Sequence, residues 1–223
     1  MFRVKICGVT CEEDAILCAD AGADAIGLNF YQASPRCIDV SAAKRISAQL
    51  PPSVAKVGVF VNMPLDEVAT VFDAAGLDFV QLHGDEKPDA IAKLGGRPAI
   101  KAFRCKNGGA EQISAFLREC FDLGVQPAAV LIDAFVPGSY GGTGVVVDWR
   151  FVAQLRREME ELPMILAGGI TPENVAQAIL IAKPSAIDTA SGVESAPGKK
   201  DPDLLRAFVE NARSAFDQLP EST

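Results

Sequence analysis

Cys7 and Asp133 are the residues best suited to move a proton. Cys7 ends a β-patterned run, Phe2–Cys7, and is followed by Gly8. A cysteine in that place is either a small buried hydrophobe or a thiolate general base, activated by a helix N-terminus or a nearby cation. Asp133 closes the apolar run Ala128-Ala129-Val130-Leu131-Ile132. Burial at the end of such a strand would raise a carboxyl pKa and suit it to donate a proton. The alternative is a structural carboxylate bonded to loop N–H groups. Arg36 sits in Ser34-Pro35-Arg36-Cys37, where proline restricts the backbone, and could clamp a carboxylate with two parallel hydrogen bonds or simply face solvent. His83, in Gln81-Leu82-His83-Gly84, is an acid/base candidate, but a structural or substrate-orienting role suits a histidine without a histidine partner better.

Three glycine-bearing loops have the composition of an anion site. Met164-Ile165-Leu166-Ala167 is too short and apolar for anything but a buried strand, and it stops at Gly168-Gly169. Thr171-Pro172-Glu173-Asn174 follows as a helix start, with Thr171 predicted at the N-cap and Pro172 at the first helical position. Two glycines in that setting either make a tight turn or let backbone N–H groups reach a phosphate. Gly141-Gly142-Thr143-Gly144 offers N–H donors and one hydroxyl, and Ser191-Gly192-Val193-Glu194 follows the last strand-like run. Paired with Gly168-Gly169, Ser191-Gly192 makes a two-loop cup completed by a short helix N-terminus, the usual phosphate position between strands seven and eight of a barrel.

The elements that must position these groups alternate regularly. Strand-like runs are Phe2–Cys7, Ala25–Phe30, Val54–Val61, Phe79–Leu82, Ala99–Phe103, Ala128–Asp133, Met164–Ala167 and Ala186–Thr189. Helical patterns lie at roughly 11–21, 41–50, 64–75, 86–95, 110–123, 149–161, 172–182 and 203–217, with Thr10, Ser41 and Asp201 as candidate caps. Eight such units in 223 residues predict an α/β fold, a single-domain (β/α)8 TIM barrel spanning 1–223. The long connections, 31–40, 134–147 and 191–200, all follow strands, which crowds them at the barrel end where active sites are built. There Cys7, Asn29, Asn62, His83, Arg104, Asp133, Gly168-Gly169 and Ser191-Gly192 stand at strand ends and would converge on one cavity.

Composition narrows the partners. Twenty-one Lys and Arg against 29 Asp and Glu give a formal net charge of -8, which argues against nucleic-acid or membrane-surface binding. No apolar run reaches transmembrane length and no signal-peptide layout is seen, so a cytoplasmic protein is expected. The six cysteines form no C-x-x-C pair and read as free thiols, and a single histidine disfavours a multi-imidazole metal centre.

Ten blocks spread over nearly the whole chain resemble, in order, the phosphoribosylanthranilate isomerase family of tryptophan-pathway barrels. They begin with Lys5-Ile6-Cys7-Gly8-Val9-Thr10, Gly27-Leu28-Asn29-Phe30 with Ser34-Pro35-Arg36, Val57–Asn62, Val80–Gly84 and Leu131-Ile132-Asp133. They continue with Gly141–Gly144 and Asp148-Trp149, Leu166–Ile170 with Pro172 and Asn174, and Ser191–Glu194 through Pro197–Asp201. The resemblance implies an Amadori rearrangement of N-(5-phosphoribosyl)anthranilate, with Cys7 as general base, Asp133 as general acid and Arg36 on the anthranilate carboxylate. Both steps are proton transfers, so no metal or organic cofactor is needed. Asp188-Thr189-Ala190 departs mildly from the family's Val- and Ser-bearing version, and Ala134–Tyr140 has the idiosyncrasy of a mobile lid. The sister histidine-pathway isomerase carries an aspartate base at strand one and a second phosphate loop in the first half; position 7 here is cysteine and no such loop is present. An indole-forming synthase wants a lysine and glutamates in specific strands, and a metal-dependent epimerase wants several histidines. A catalytically silent phosphate-binding barrel predicts loss of Cys7 or Asp133, and both are present. A small phosphorylated substrate and a monomeric or homodimeric state are the remaining expectations.

Overall fold

The computed structural model describes residues 1–105, 109–134, 148–159 and 162–220. The strands β1 (Val4–Cys7), β2 (Ala25–Asn29), β3 (Ala55–Phe60), β4 (Phe79–Leu82), β5 (Ala99–Cys105), β6 (Ala129–Ala134), β7 (Met164–Leu166) and β8 (Ala186–Thr189) close into one barrel in sequence order. All eight pairings are parallel, and β1 closes the ring against β8 through Val4↔Ile187, Lys5↔Asp188 and Ile6↔Thr189. The helices between them are α1 (Glu12–Asp20), α2 (Val40–Gln49), α3 (Leu65–Ala75), α4 (Asp89–Lys93), α5 (Ala110–Asp122), α6 (Trp149–Glu158) and α7 (Val175–Ala182), with α8 (Pro202–Asp217) last. After β8 come a single 3-10 turn, Ser191–Val193, and a small antiparallel hairpin of β9 (Glu194–Ala196) and β10 (Lys199–Lys200).

Side chains of a strand alternate between the two faces of the barrel wall. One apolar set, including Val4, Ile6, Leu28, Phe60, Ile132 and Leu166, packs outward under the helices. The other, including Ala25, Val57, Ile100, Leu131, Ile165 and Ala186, fills the barrel interior. Burying each large apolar side chain stabilises the fold by about 1.5–3 kcal/mol, which explains why both faces of these strands are apolar. The interior parity places Lys5, Gln81, Asp133 and Asp188 inside, each two residues beyond, or in register with, an apolar interior residue, and carries Cys7 and His83 two residues past Lys5 and Gln81 on the same face.

Three predicted helix starts are corrected. Helix α1 begins after Cys11, while the Thr10 hydroxyl donates to Gly198 O at 2.7 Å instead of capping. Helix α2 starts at Val40, capped by Asp39, whose carboxylate accepts from Ala42 N at 2.7 Å; Ser41 lies inside the first turn. Helix α7 starts at Val175, not at Pro172, because Asn174 turns its side chain back onto the loop, accepting from Thr171 N and donating to Gly169 O, both at 2.9 Å. Helix α4 is shorter than its pattern, since Glu86 is drawn into loop contacts and Gly95 and Gly96, both at positive φ, end the segment. Asp201 caps α8 as read, accepting from Asp203 N and Leu204 N at 3.0 Å, with Pro202 in the first turn.

Candidate active site

Cys7 and Lys5 project from the same face of β1 into the barrel. Lys5 is fully buried, and its Nζ lies 2.9 Å from Asp188 Oδ1 on the neighbouring strand β8. Gly27, in register with Cys7 on β2, leaves the room both groups occupy: a Cβ there would stand 2.6 Å from Cys7 Sγ and 3.1 Å from Lys5 Nζ. Burial works against the Lys5 ammonium, but Asp188 and then Cys7 more than offset it, so Lys5 sits above the ordinary lysine value. Burial pushes the Asp188 carboxyl up, Lys5 opposes that, and Asp133 adds to it. The two groups lie as an ion pair at 2.9 Å. Burial also pushes the Cys7 thiol up; Lys5 pulls it back, Asp188 raises it, and Lys200 lowers it. The nearby cation expected of an activated thiol is thus present, and it tempers the effect of burial without reversing it.

A second ionic cluster seals the seam above Cys7. Lys200, buried on β10, donates to Cys7 O at 2.6 Å, Ala190 O at 3.2 Å and Glu194 Oε1 at 2.8 Å. Arg36 meets the same carboxylate in the bidentate geometry anticipated for it, Nε to Oε1 at 2.8 Å and Nη2 to Oε2 at 2.6 Å. The clamped carboxylate is one of the chain's own. The Arg36 stem lies across Gly8, which holds a φ of 74° and where any Cβ would collide with Arg36 Cδ. Burial pushes the Glu194 carboxyl up, yet Arg36 and Lys200 together hold it below the usual glutamate range.

Asp133 stands at the end of β6, three strands from Cys7 around the ring. It is buried, and its Oδ2 lies 3.3 Å from His83 Nε2 on β4. The other ring nitrogen, Nδ1, is 2.8 Å from Gln81 Nε2. With the amide donating, Nδ1 is the acceptor and the ring proton rests on Nε2, facing Asp133. The Nε2–Oδ2 approach is close enough for an ion pair but is not aligned as a hydrogen bond, leaving Nε2 and Gln81 Oε1 as buried atoms without one.

The two glycine loops of the second half meet at one place. Gly168 and Gly169 take φ values of 88° and 64°, a region that favours glycine. Thr189 Oγ1 donates to Ile170 O at 2.6 Å, and a Cβ on Gly192 would strike that same carbonyl. Gly192 therefore lets the 3-10 turn of Ser191 lie directly against the Gly168–Ile170 loop. Gly142 and Thr143 lie outside the described residues, as does all of the Ala134–Tyr140 stretch read as a lid except Ala134.

Other strand-end residues brace loops. Asn29 accepts from Tyr31 N at 2.8 Å and donates to Ser34 Oγ at 3.2 Å, which shapes the Arg36 loop. Asn62, at a φ of 52°, accepts from Asp85 N at 2.8 Å, and Arg104 pairs with Asp85 at 2.6 Å. Beneath them the buried Lys101 ties Gly84 O and Glu86, both at 2.8 Å. Lys5, Asp188, Glu194 and Lys200 were not singled out as site residues from sequence. For Lys5 and Asp188 the available signal was a charged residue at interior parity on a barrel strand, where alternation demands an apolar one; Glu194 and Lys200, on the β9–β10 hairpin, carried no such signal.

A family model described as N-(5'-phosphoribosyl)anthranilate (PRA) isomerase matches residues 4–211. The chain is similar to an N-(5'-phosphoribosyl)anthranilate isomerase of Citrifermentans bemidjiense, 45% identical over 213 residues, covering 96% of this chain and 98% of the relative. Among solved structures it is similar to a phosphoribosyl anthranilate isomerase in complex with reduced 1-(o-carboxyphenylamino)-1-deoxyribulose 5-phosphate. That match has a TM-score of 0.80 and 38% identity over 96% of this chain and all of that one (100%). It is also similar to monomers generated from the dimeric enzyme of Thermotoga maritima, with a TM-score of 0.81 and 35% identity over 96% and 100% of the two chains.

Proposed function

Because the chain belongs to the N-(5'-phosphoribosyl)anthranilate isomerase family, we propose an assignment of its own residues to the steps of that reaction. The activity is the Amadori rearrangement of N-(5-phospho-β-D-ribosyl)anthranilate to 1-(2-carboxyphenylamino)-1-deoxy-D-ribulose 5-phosphate, a step of tryptophan biosynthesis. Asp133 gives a proton to the furanose ring oxygen; the C1–O bond breaks, and the anilino nitrogen's lone pair forms the protonated Schiff base. Cys7 then removes the C2 proton as a thiolate, and the C–H electron pair becomes the C1=C2 bond of the enolamine. Tautomerisation moves the Cys7 proton to C1 and the C2 hydroxyl proton to the Asp133 carboxylate, so acid and base both end as they began.

Support for these roles comes from the placement of Cys7 and Asp133 inside one barrel mouth, on strands either side of the Gly168–Gly169 and Ser191–Gly192 loops. Those loops receive the 5-phosphate, with Gly142 and Thr143 as further donors. The Nε/Nη2 edge of Arg36 is taken by Glu194, so its Nη1/Nη2 edge meets the anthranilate carboxylate. His83 keeps its Nε2 proton toward Asp133 and steadies the carboxylate once the acid has given up its proton. The chain works as one catalytic domain over 1–223, monomeric or homodimeric, in the cytoplasm; no described helix is long and apolar enough to cross a membrane.

The fluorescence change of anthranilate on turnover tests the assignment. Cys7→Ala and Asp133→Asn should each lose about 10²–10⁴-fold in kcat. Turnover within a few-fold of the unaltered protein in either variant would remove that residue from its role. The aminoimidazole ribonucleotide of the histidine pathway, run in parallel, should give no turnover.

A further inference from the structure

The barrel interior is apolar at Ala25, Ile165 and Ala186, yet Lys5, in register with Ala25, and Asp188, two residues beyond Ala186, stand on the same interior face as an ion pair, with relative side-chain exposures of 0% and 7%. Packing does not call for it, since apolar residues of similar volume fill such positions at least as well. What distinguishes this pair is its neighbour. Lys5 and Cys7 lie two residues apart on one face of β1, and the missing side chain of Gly27 opens the space into which both Sγ and Nζ reach.

We propose that Lys5 is a positioning residue for the base: its ammonium, held charged and in place by Asp188, is the built-in counter-ion against which the Cys7 thiolate forms. This rests on the reading of Cys7 as the base. Asp188 does two things at once. It keeps the proton on Lys5, and its own negative charge opposes a second anion at Cys7. The sulfur is thereby left basic enough to take the C2 proton and not so tightly ion-paired that it becomes inert. When the proton arrives, the S–H bond forms as the C2–H bond breaks, and Lys5 returns wholly to Asp188. The other charged groups bearing on Cys7 are Lys200, bonded to its carbonyl, and Arg36 from the second loop; Asp133 and His83 act on Asp188 from β6 and β4. Among these, only Lys5 shares the Gly27 space with the sulfur.

The experiment is alkylation by iodoacetamide across a pH series, resolved cysteine by cysteine by peptide mass, together with the pH dependence of kcat/KM. Cys11 and Cys37, both half-buried, serve as internal references. Lys5→Met should raise the midpoint of Cys7 alkylation and of the ascending limb of kcat/KM together by about one unit or more, a tenfold or greater loss of thiolate at fixed pH. Asp188→Asn should move both midpoints down, because the thiolate then inherits the ammonium. A folded Lys5→Met protein with an unmoved Cys7 midpoint overturns the proposal. Should Lys5→Met not fold, an unmoved or rising midpoint in Asp188→Asn does so. Damage to packing alone would lower activity in both variants without shifting the two midpoints in opposite senses. Full turnover by Cys7→Ala would remove the base assignment while leaving the alkylation result standing, so the two failures are distinct.

Discussion

The two corners of the barrel mouth to which proton transfer is assigned by proposal, at Cys7 and at Asp133, have different neighbours. Around Cys7 stand two charged groups of residues, Lys5 with Asp188 below and Lys200 with Glu194 and Arg36 above. Asp133 faces the His83 ring, with the Gln81 amide behind it. The difference follows from what each group must become. A thiol has to form an anion inside an apolar barrel, which fixed cations make possible. A carboxylic acid has to hold a proton until the substrate takes it, and a cation placed against it would strip that proton too early.

The largest effects should come from the two groups themselves. Beyond the loss in kcat, whatever activity remains should lose its ascending pH limb in Cys7→Ala and its descending limb in Asp133→Asn, since a base works deprotonated and an acid protonated. A shared pH profile in the two variants would collapse the contrast between the corners.

Stability should separate them next. Glu194→Gln leaves the Lys200 and Arg36 cations in a buried seam without their carboxylate and should cost about 3–5 kcal/mol. Gln81→Leu removes one neutral partner and should cost about 1–3 kcal/mol. Equal losses in denaturant unfolding would mean that the two corners are equivalent in kind.

Arg36→Ala sharpens the base side further. It should raise KM by about 10–100-fold with a smaller effect on kcat, as loss of a charged hydrogen-bonding group to the substrate does. A pure kcat effect in steady-state kinetics would assign Arg36 to holding the Glu194 hairpin and not the anthranilate carboxylate.

The smallest effect is acid sensitivity confined to one corner. The folded Glu194 carboxyl lies below its unfolded value, so its contribution is whole above the ordinary glutamate range and fades as pH falls through that range to the folded value. Hydrogen-exchange protection of Glu194–Lys200, taken relative to the intrinsic rate at each pH, should fall on acidification from about pH 5 to about pH 3 before the barrel unfolds. Unchanged protection of the hairpin over that interval would mean that Arg36 and Lys200 do not depend on the Glu194 charge.

Much of this was legible in the chain itself. The barrel follows from eight apolar runs alternating with helical patterns, and the strand boundaries fall within two residues of the runs at nearly every end, because a strand buried on both faces is marked by continuous apolarity. Helix starts were less legible. Thr10, Ser41 and Thr171 are good capping residues by type, yet each lost the position to a competitor reachable only in three dimensions or to a stronger neighbouring acceptor. Asp188 is the clearest case at the site. In sequence it is a mild oddity before Thr189-Ala190; in the barrel it is half of the ion pair beside the thiol.

By itself, the order of residues determined the parallel barrel, the end of it that carries chemistry, and the candidate acid, base and anion loops, because alternation and strand ends are local properties of the chain. Only the tertiary structure decided which charges face which. Lys5 and Asp188 are 183 residues apart, and Arg36 and Glu194 are 158 apart. They meet because closing the ring sets β1 against β8, and the strand register, not sequence distance, fixes the few ångströms over which a buried charge is felt.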